Sequence, residues 1–364
     1  MTAPSQNRSY YPALDGLRGL ASLLVVVYHN FGFINQYFFF GWIGLDIFFV
    51  LSGFLITDIL LNTLNREDYL KNFYMRRILR VFPIYYVGLI LFLVILPGLP
   101  GMMNYFSYYV DNQGYLWTYL QNWLYVFNPP PQHQSILNHL WSLAVEEQFY
   151  LVWPLVILLI KKPKYLLALI FFLLLLVIGL RYWSWASQVQ DLSYYNLYTF
   201  TRIDGICIGC MVALLQRINP AFLGKYTAAI VLAFAGFNFL FFFFNKENQF
   251  TFPYLAIAGY STVAMLFGLL VYDIVHGRTK LFIQIFSNRI LKFFGKVSYG
   301  CYIIHWPLYL LLSPYFLEWS APYISGYPKQ FLTSFIITAL SYLLGYLSYR
   351  YFEAYFLRFK RRFE

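Results

Sequence analysis

The strongest constraint on this chain is that ionisable residues sit inside segments too apolar for water. The stretch 11–30 is hydrophobic enough to lie in a bilayer, yet it carries Asp15, Arg18 and His29. An Arg or Asp at the centre of a membrane helix costs roughly 2.5–3.5 kcal/mol on insertion scales. Groups that expensive persist where they line a polar cavity or a reaction path. Arg18 and His29 are eleven residues apart, about three helical turns, so both project toward nearly the same face. At about 1.5 Å per residue they stand roughly 16 Å apart along the axis. A cation near one membrane face and a titratable imidazole deeper inside point to a site reached from two sides.

The remaining chain repeats this pattern. Of 364 residues, 60% are hydrophobic, 23% aromatic and only 11% charged, against about 25% charged in soluble domains. The expected fold is all-α and polytopic: one membrane-embedded domain over 1–364, with a helical core over 10–355 and a short basic cytoplasmic tail over 356–364. Ten spans near the ~20 residues a bilayer requires are expected, enclosing a polar cavity. They cover 14–33, 42–61, 81–99, 139–160, 165–185, 200–215, 226–244, 252–275, 297–317 and 331–351. The polar first nine residues and the many later apolar runs give no sign of a cleavable leader. The net charge of +11 does not indicate nucleic acid, because the basic residues fall between hydrophobic runs rather than on one soluble face.

Loop charge sets the orientation. Arg8, the Arg66–Arg80 cluster, Lys161, Lys162, Lys164, Arg217, Lys225, the 278–296 cluster and the 350–362 cluster fall on one side. The other side has Lys246 and Lys329 beside Asp111, Asp191, Glu247 and Glu318. This asymmetry places both termini in the cytoplasm and 100–138, the longest loop, outside. That loop is rich in Tyr and Trp beside amides, which suits either sugar stacking or an interfacial helix lying flat on lipid. Cys207-x-x-Cys210 fits a redox or metal pair, but no second pair accompanies it, and small residues packing a helix are the simpler reading. No metal is expected.

Several stretches carry chemistry. Asp46 opens the second span ahead of the small pair Ser52-Gly53; it either orients His29, pairs with Arg18, or forms a structural ion pair between helices. Arg77 and Arg80 share a helix face, Arg76 extends the patch, and Pro83 marks entry into the membrane. Guanidinium forks suit the phosphates of a nucleotide-like donor, while anchoring on anionic lipid is the alternative. In the fourth span His139, Ser142 and Glu146 follow a three-then-four spacing on one stripe, with Glu147 adjacent. Successive positions differ by about 100°, so at most one carboxylate is expected to point squarely into a cavity. Arg202 and Asp204 form a charge pair at the edge of the sixth span, and His305 places another imidazole inside the ninth.

In this order the stretches resemble the acyltransferase-3 family of integral membrane acyltransferases. The matching pieces are Arg18 with His29; Asp46 through Ser52-Gly53-Phe54; Arg77-x-x-Arg80; Trp141-Ser142-Leu143 with Glu146-Glu147-Gln148-Phe149-Tyr150; Arg202-x-Asp204-Gly205; and Ser298-Tyr299 leading to His305-x-Pro307. The resemblance is to the stand-alone form, without the hydrolase-like domain that some members carry. It implies transfer of an acyl group, most often acetyl, from cytoplasmic acyl-CoA to a hydroxyl of an extracytoplasmic or lipid-linked carbohydrate in a bacterial plasma membrane. His29 would then be general base or transient acyl carrier, since its unperturbed pKa of about 6.5 lies near working pH. Arg18, Asp46, Glu146 and Glu147 complete the expected catalytic set, with one carboxylate fixing the His29 tautomer. Arg76, Arg77 and Arg80 form the expected donor site. Asp15, His139, Trp141, Ser142, Tyr150, Arg202, Asp204 and His305 are assigned to substrate binding. A transporter or flippase for a polyprenyl-linked glycan precursor is the competing class; it needs no base and should tolerate loss of His29.

Overall fold

The structure, a computed structural model, describes residues 11–38, 40–187, 197–244 and 254–363. Arg8, Asp191, Lys246 and Glu247, used in the charge asymmetry, lie outside the described residues, as do the first two residues of the eighth expected span. The described chain is helical, with no strand among the described residues. Its helices are α1 (Pro12–Asn30), α2 (Gly44–Thr63), α3 (Tyr69–Ile90), α4 (Met103–Asp111), α5 (Gln113–Trp117) and α6 (Gln121–Phe127). They continue as α7 (Trp141–Ile160), α8 (Pro163–Ala186), α9 (Thr199–Arg202), α10 (Asp204–Ile218), α11 (Thr227–Phe244) and α12 (Tyr260–Val275). The last are α13 (Lys280–Phe286), α14 (Arg289–Ser320), α15 (Gly326–Leu347) and α16 (Ala354–Phe359).

Among the described residues, seven helical segments are long and apolar enough to cross a membrane. The other three expected spans, on α1, α10 and α14, are helical but fall short of that apolar length; α10 has only 15 residues. These are the helices that carry Asp15, Arg18, His29, Asp204 and His305, and they pack in the middle of the bundle. A helix covered by its neighbours need not be apolar all round.

Two parallel pairs set the arrangement. α1 runs alongside α14, and α2 runs alongside α10. Glycine permits both approaches: a Cβ on Gly19 would stand 1.9 Å from the Leu291 carbonyl oxygen, and one on Gly209 would stand 2.1 Å from that of Val50. Small residues that let backbones meet are the usual adhesive between membrane helices. Cys207 and Cys210, both buried free thiols, pack on α10 in this contact region, with Cys210 Sγ 3.6 Å from the Gly53 carbonyl oxygen.

Pro83 does not mark the start of a span. α3 runs unbroken from Tyr69, so Arg76, Arg77 and Arg80 ride the same helix that enters the bundle.

The 100–138 segment is not a loose outer loop. It folds into α4, α5 and α6, and Phe106, Tyr109 and Leu116 are fully buried. Its tip re-enters the bundle, reaching side chains within two turns of Arg80. Tyr85 Oη donates to the Leu116 carbonyl at 2.8 Å, Tyr86 Oη to that of Trp117 at 3.2 Å, and Gln148 Nε2 to that of Tyr119 at 2.7 Å. Tyr119 takes a left-handed turn at φ 55° and stacks on Tyr85 at 4.2 Å between ring centroids. Irregular backbone survives at such depth only when the protein supplies the missing hydrogen bonds. The buried tyrosines therefore serve packing and backbone satisfaction, while Tyr105, Tyr115 and Phe127 remain exposed.

Replacing Gly209 with Leu should destabilise the protein by at least about 1–3 kcal/mol through overpacking. The check is the thermal midpoint of detergent-solubilised protein, with Gly236→Leu, whose Cβ would meet open space, as the unperturbed control.

Candidate functional site

A cavity of about 80 Å³ with charged residues in its wall lies between α1, α2, α3, α7 and α14. Arg18 reaches it from α1, Ser52 from α2, Arg77 and Arg80 from α3, and Ser142, Glu146, Glu147 and Tyr150 from α7. Ser298, Tyr299 and Tyr302 close the side formed by α14. Of the stripe expected on the fourth span, Ser142 and Glu146 line the cavity and Tyr150 extends the row, but His139 does not reach it. Both carboxylates line the cavity, however, because it wraps around more of α7 than one helical face. Ser52 Oγ donates to Glu146 Oε1 at 2.8 Å, and the Arg77 guanidinium lies 4.8 Å from the Tyr150 ring centroid. Asp15 acts electrostatically on Arg18 and Arg80 but does not itself line the cavity.

Arg77 and Arg80 also line a second space of about 60 Å³, together with Ile59, Phe73, Arg76 and Lys360. The two arginines are thus the shared wall between an inner chamber and a basic vestibule. Lys360 comes from the segment expected to be only a tail, which packs against α3.

The far end of the inner chamber is closed by a hydrogen-bonded bolt. Tyr302 Oη donates to the His139 carbonyl at 2.5 Å, so the 2.7 Å contact with Ser142 Oγ has serine as donor. Beyond the bolt lie three imidazoles. His29 Nδ1 is 2.9 Å from His305 Nε2, and His305 Nδ1 is 2.7 Å from the Tyr302 carbonyl oxygen. His139 Nε2 lies 3.2 Å from the Ile303 carbonyl oxygen. Pro307 explains that last contact, because it has no N–H to give the carbonyl four residues earlier, which belongs to Ile303. The Trp306 ring lies 5.1 Å from that of His29, and Trp306 Nε1 donates to the Ser135 carbonyl at 3.1 Å. His29 is half-buried, whereas His139 and His305 are buried.

Several expected placements change. His29 does not line the chamber that Arg18 lines, and its hydrogen-bond partner is His305 rather than a carboxylate. Asp46 is taken by Arg202: Arg202 Nη2 lies 3.0 Å from Asp46 Oδ1. Asp204 is held by Arg181 at 2.9 Å and by Ser261 Oγ at 2.7 Å. The Arg202 guanidinium also faces Tyr260 at 4.3 Å and Trp141 at 5.8 Å from the ring centroids. Arg202, Asp204 and Trp141 therefore form a closed network joining α2, α7, α8, α9, α10 and α12, and none of them lines the chamber. Its charges are buried together: Asp46, Arg181 and Asp204 are 0% exposed. Such charges require one another once water is excluded. Ser52, Ser298, Tyr299, Tyr302 and Lys360 are polar lining residues absent from the expected site set. All but Lys360 fell within noted stretches, but residue spacing gave no reason to aim them inward.

This bundle, with its charged chamber enclosed by apolar helices, has the features of a multi-pass membrane enzyme. A family model described as an acyltransferase domain, of the acyltransferase-3 type, matches residues 11–350, and the chain belongs to that family. It is 34% identical over 370 residues to the peptidoglycan O-acetyltransferase OatA of Listeria monocytogenes, covering 92% of this chain and 55% of that protein. It is 32% identical over 328 residues to the putative peptidoglycan O-acetyltransferase YrhL of Bacillus subtilis, covering 85% and 50%. It is 29% identical to a putative O-acetyltransferase of Staphylococcus aureus over 95% of this chain and 57% of that protein. The chain spans about half the length of these curated relatives. No solved structure matches it.

Arg202→Ala strands Asp46 without its cation, and breaking a buried pair by removing one partner costs roughly 3–5 kcal/mol. The expected outcome is a lowered thermal midpoint and poor recovery from the membrane. An Arg202→Ala protein of unchanged stability with only a raised KM for acceptor would restore a substrate-binding role.

Proposed function

We propose that this chain carries an O-acyltransferase activity, moving an acetyl group from cytoplasmic acetyl-CoA to a hydroxyl of an extracytoplasmic carbohydrate, with peptidoglycan the favoured acceptor because the relatives OatA and YrhL bear that name. The observation that carries the reading is the sequence of spaces: basic vestibule, arginine pair, charged inner chamber, hydrogen-bonded bolt and imidazole group. That order matches a donor with an anionic head and a thin thioester arm, meeting an acceptor from the opposite side.

The donor phosphates would lie against Arg76, Arg77, Arg80 and Lys360, whose positive charges and guanidinium forks suit them. The pantetheine arm would extend past Arg77 and Arg80 toward Ser142 and Tyr302. Arg18, Glu146 and Glu147 keep the chamber polar, and Ser52 and Tyr150 orient those charges. His29, behind the bolt and half-buried, is the group available to an acceptor hydroxyl, as base or as transient acyl carrier. Asp46, Arg202 and Asp204 act as scaffold.

We assign ten spans with both termini cytoplasmic. The support is the Lys/Arg asymmetry of the loops and the vestibule itself, which gathers Arg76, Arg80 and Lys360 at one end.

The test is transfer of radiolabelled acetyl from acetyl-CoA to soluble muropeptides by purified protein in nanodiscs. His29→Ala should lower turnover about 10²–10⁴-fold, the usual weight of acid–base catalysis, with an unchanged thermal midpoint. A folded His29→Ala protein of full activity would sink the mechanism. Lys360→Ala should raise the KM for acetyl-CoA several-fold while leaving kcat within about twofold, as expected when one charge-assisted phosphate contact worth roughly 1.5–3 kcal/mol, reduced by solvent at a vestibule, is removed.

A further inference from the structure

The hydrogen bonds around His305 determine which nitrogen of His29 is free. A backbone carbonyl can only accept, so the 2.7 Å contact of His305 Nδ1 with the Tyr302 carbonyl oxygen puts the proton on His305 Nδ1. A neutral imidazole carries one N–H, so His305 Nε2 then presents a lone pair. The 2.9 Å contact with His29 Nδ1 must be donated by His29. His29 Nδ1 is thereby occupied as a donor, and its Nε2 is left with the lone pair. His139 does not compete for this arrangement, because its Nε2–H is committed to the Ile303 carbonyl and its ring meets His305 edge to face.

We infer that His29 Nε2 is the reacting nitrogen and that His305 is a positioning residue, holding the His29 tautomer and sharing the proton that His29 takes up. The inference rests on the acyl-transfer reading for its chemistry, but the tautomer itself does not. In the direct route, the acceptor hydroxyl gives its proton to His29 Nε2 as its oxygen attacks the thioester carbonyl carbon. The resulting His29 imidazolium keeps its Nδ1–H on His305 Nε2. Collapse of the tetrahedral intermediate breaks the C–S bond, and the departing CoA thiolate recovers the proton from His29 Nε2. Ester and free thiol are the products, and both histidines return to their starting state. The structure replaces the carboxylate expected behind His29 with a neutral acceptor. Such an acceptor can itself hold the shared proton, because His305 Nδ1 stays bonded to Tyr302 in either state.

Two measurements test this. The chain has only five histidines, so nitrogen NMR of histidine-labelled protein in nanodiscs can be assigned by single substitutions. Wild type should show His29 protonated at Nδ1 and bare at Nε2, and His305→Ala should give mixed tautomers at His29. A wild-type His29 protonated at Nε2 overturns the inference whether or not transfer is detected. In the kinetic arm, with acetyl-CoA and soluble muropeptides, His305→Ala should lower kcat about 100-fold with KM for acetyl-CoA within threefold. His305→Gln, whose Oε1 can accept the same proton donor, should recover about tenfold of that loss. Equal losses in both variants at equal thermal stability, or a His305→Ala kcat within threefold of wild type, overturn it. Loss of transfer in wild type with the stated tautomer intact would instead count against the acyl-transfer reading alone.

Discussion

Buried charge without water is what the rest of this structure answers to. Asp46, Arg181 and Asp204 have no exposed surface, and Arg202 has almost none. Each is held by another member of the group, by Ser261, by an aromatic face, or by the Thr201 carbonyl, while Asp46 Oδ2, Asp204 Oδ1 and Arg202 Nε and Nη1 find no hydrogen-bond partner among the described residues. This network ties α2 to α10 at one end of their parallel run, and Arg217 lies 3.6 Å from Asp58 at the other. The glycines between these ends permit the close approach, and the ion pairs fix its register. Once α2 and α10 are locked, Ser52 is presented to α7, and the inner chamber has a rigid wall.

The same demand explains the two least regular parts of the molecule. The re-entrant turn around Tyr119 leaves carbonyls without helical partners, and Tyr85, Tyr86 and Gln148 supply them from neighbouring helices. Pro307 leaves the Ile303 carbonyl free, and His139 fills it. In both places a residue that looks like a candidate for substrate recognition is doing backbone work. That reading limits the polar groups available for chemistry to the chamber, the vestibule and the pair His29–His305. The bolt of Ser142 and Tyr302 separates the first two from the third.

Much of this was legible before any coordinates. Hydropathy and charge placed most helices, and the i, i+3 and i, i+4 spacings correctly grouped Arg77 with Arg80 and Ser142 with Glu146. Residue pairs on different helices were not legible in the same way. Asp46 could be read as orienting His29, pairing with Arg18 or forming a structural ion pair between helices; only the rotation of α2, which turns the carboxylate toward Arg202 on α9, selects the last. The aromatic and amide-rich composition of 100–138 suited sugar stacking or an interfacial helix, but composition carries no information about which groups fold back to satisfy one another.

The sequence by itself determined that the chain is a helical membrane protein, that expensive ionisable groups lie inside it, and which short stretches carry them. Those are consequences of local periodicity and of the cost of charge in hydrocarbon, both readable along one dimension. Only the tertiary structure decided that Asp46, Arg202, Asp204 and Arg181 neutralise one another, that Lys360 joins Arg76 in a vestibule, and that His29 meets His305. Hydrogen bonds and ion pairs between helices depend on the rotation and register of each helix. Those are set by glycine contacts and buried networks that no single segment contains.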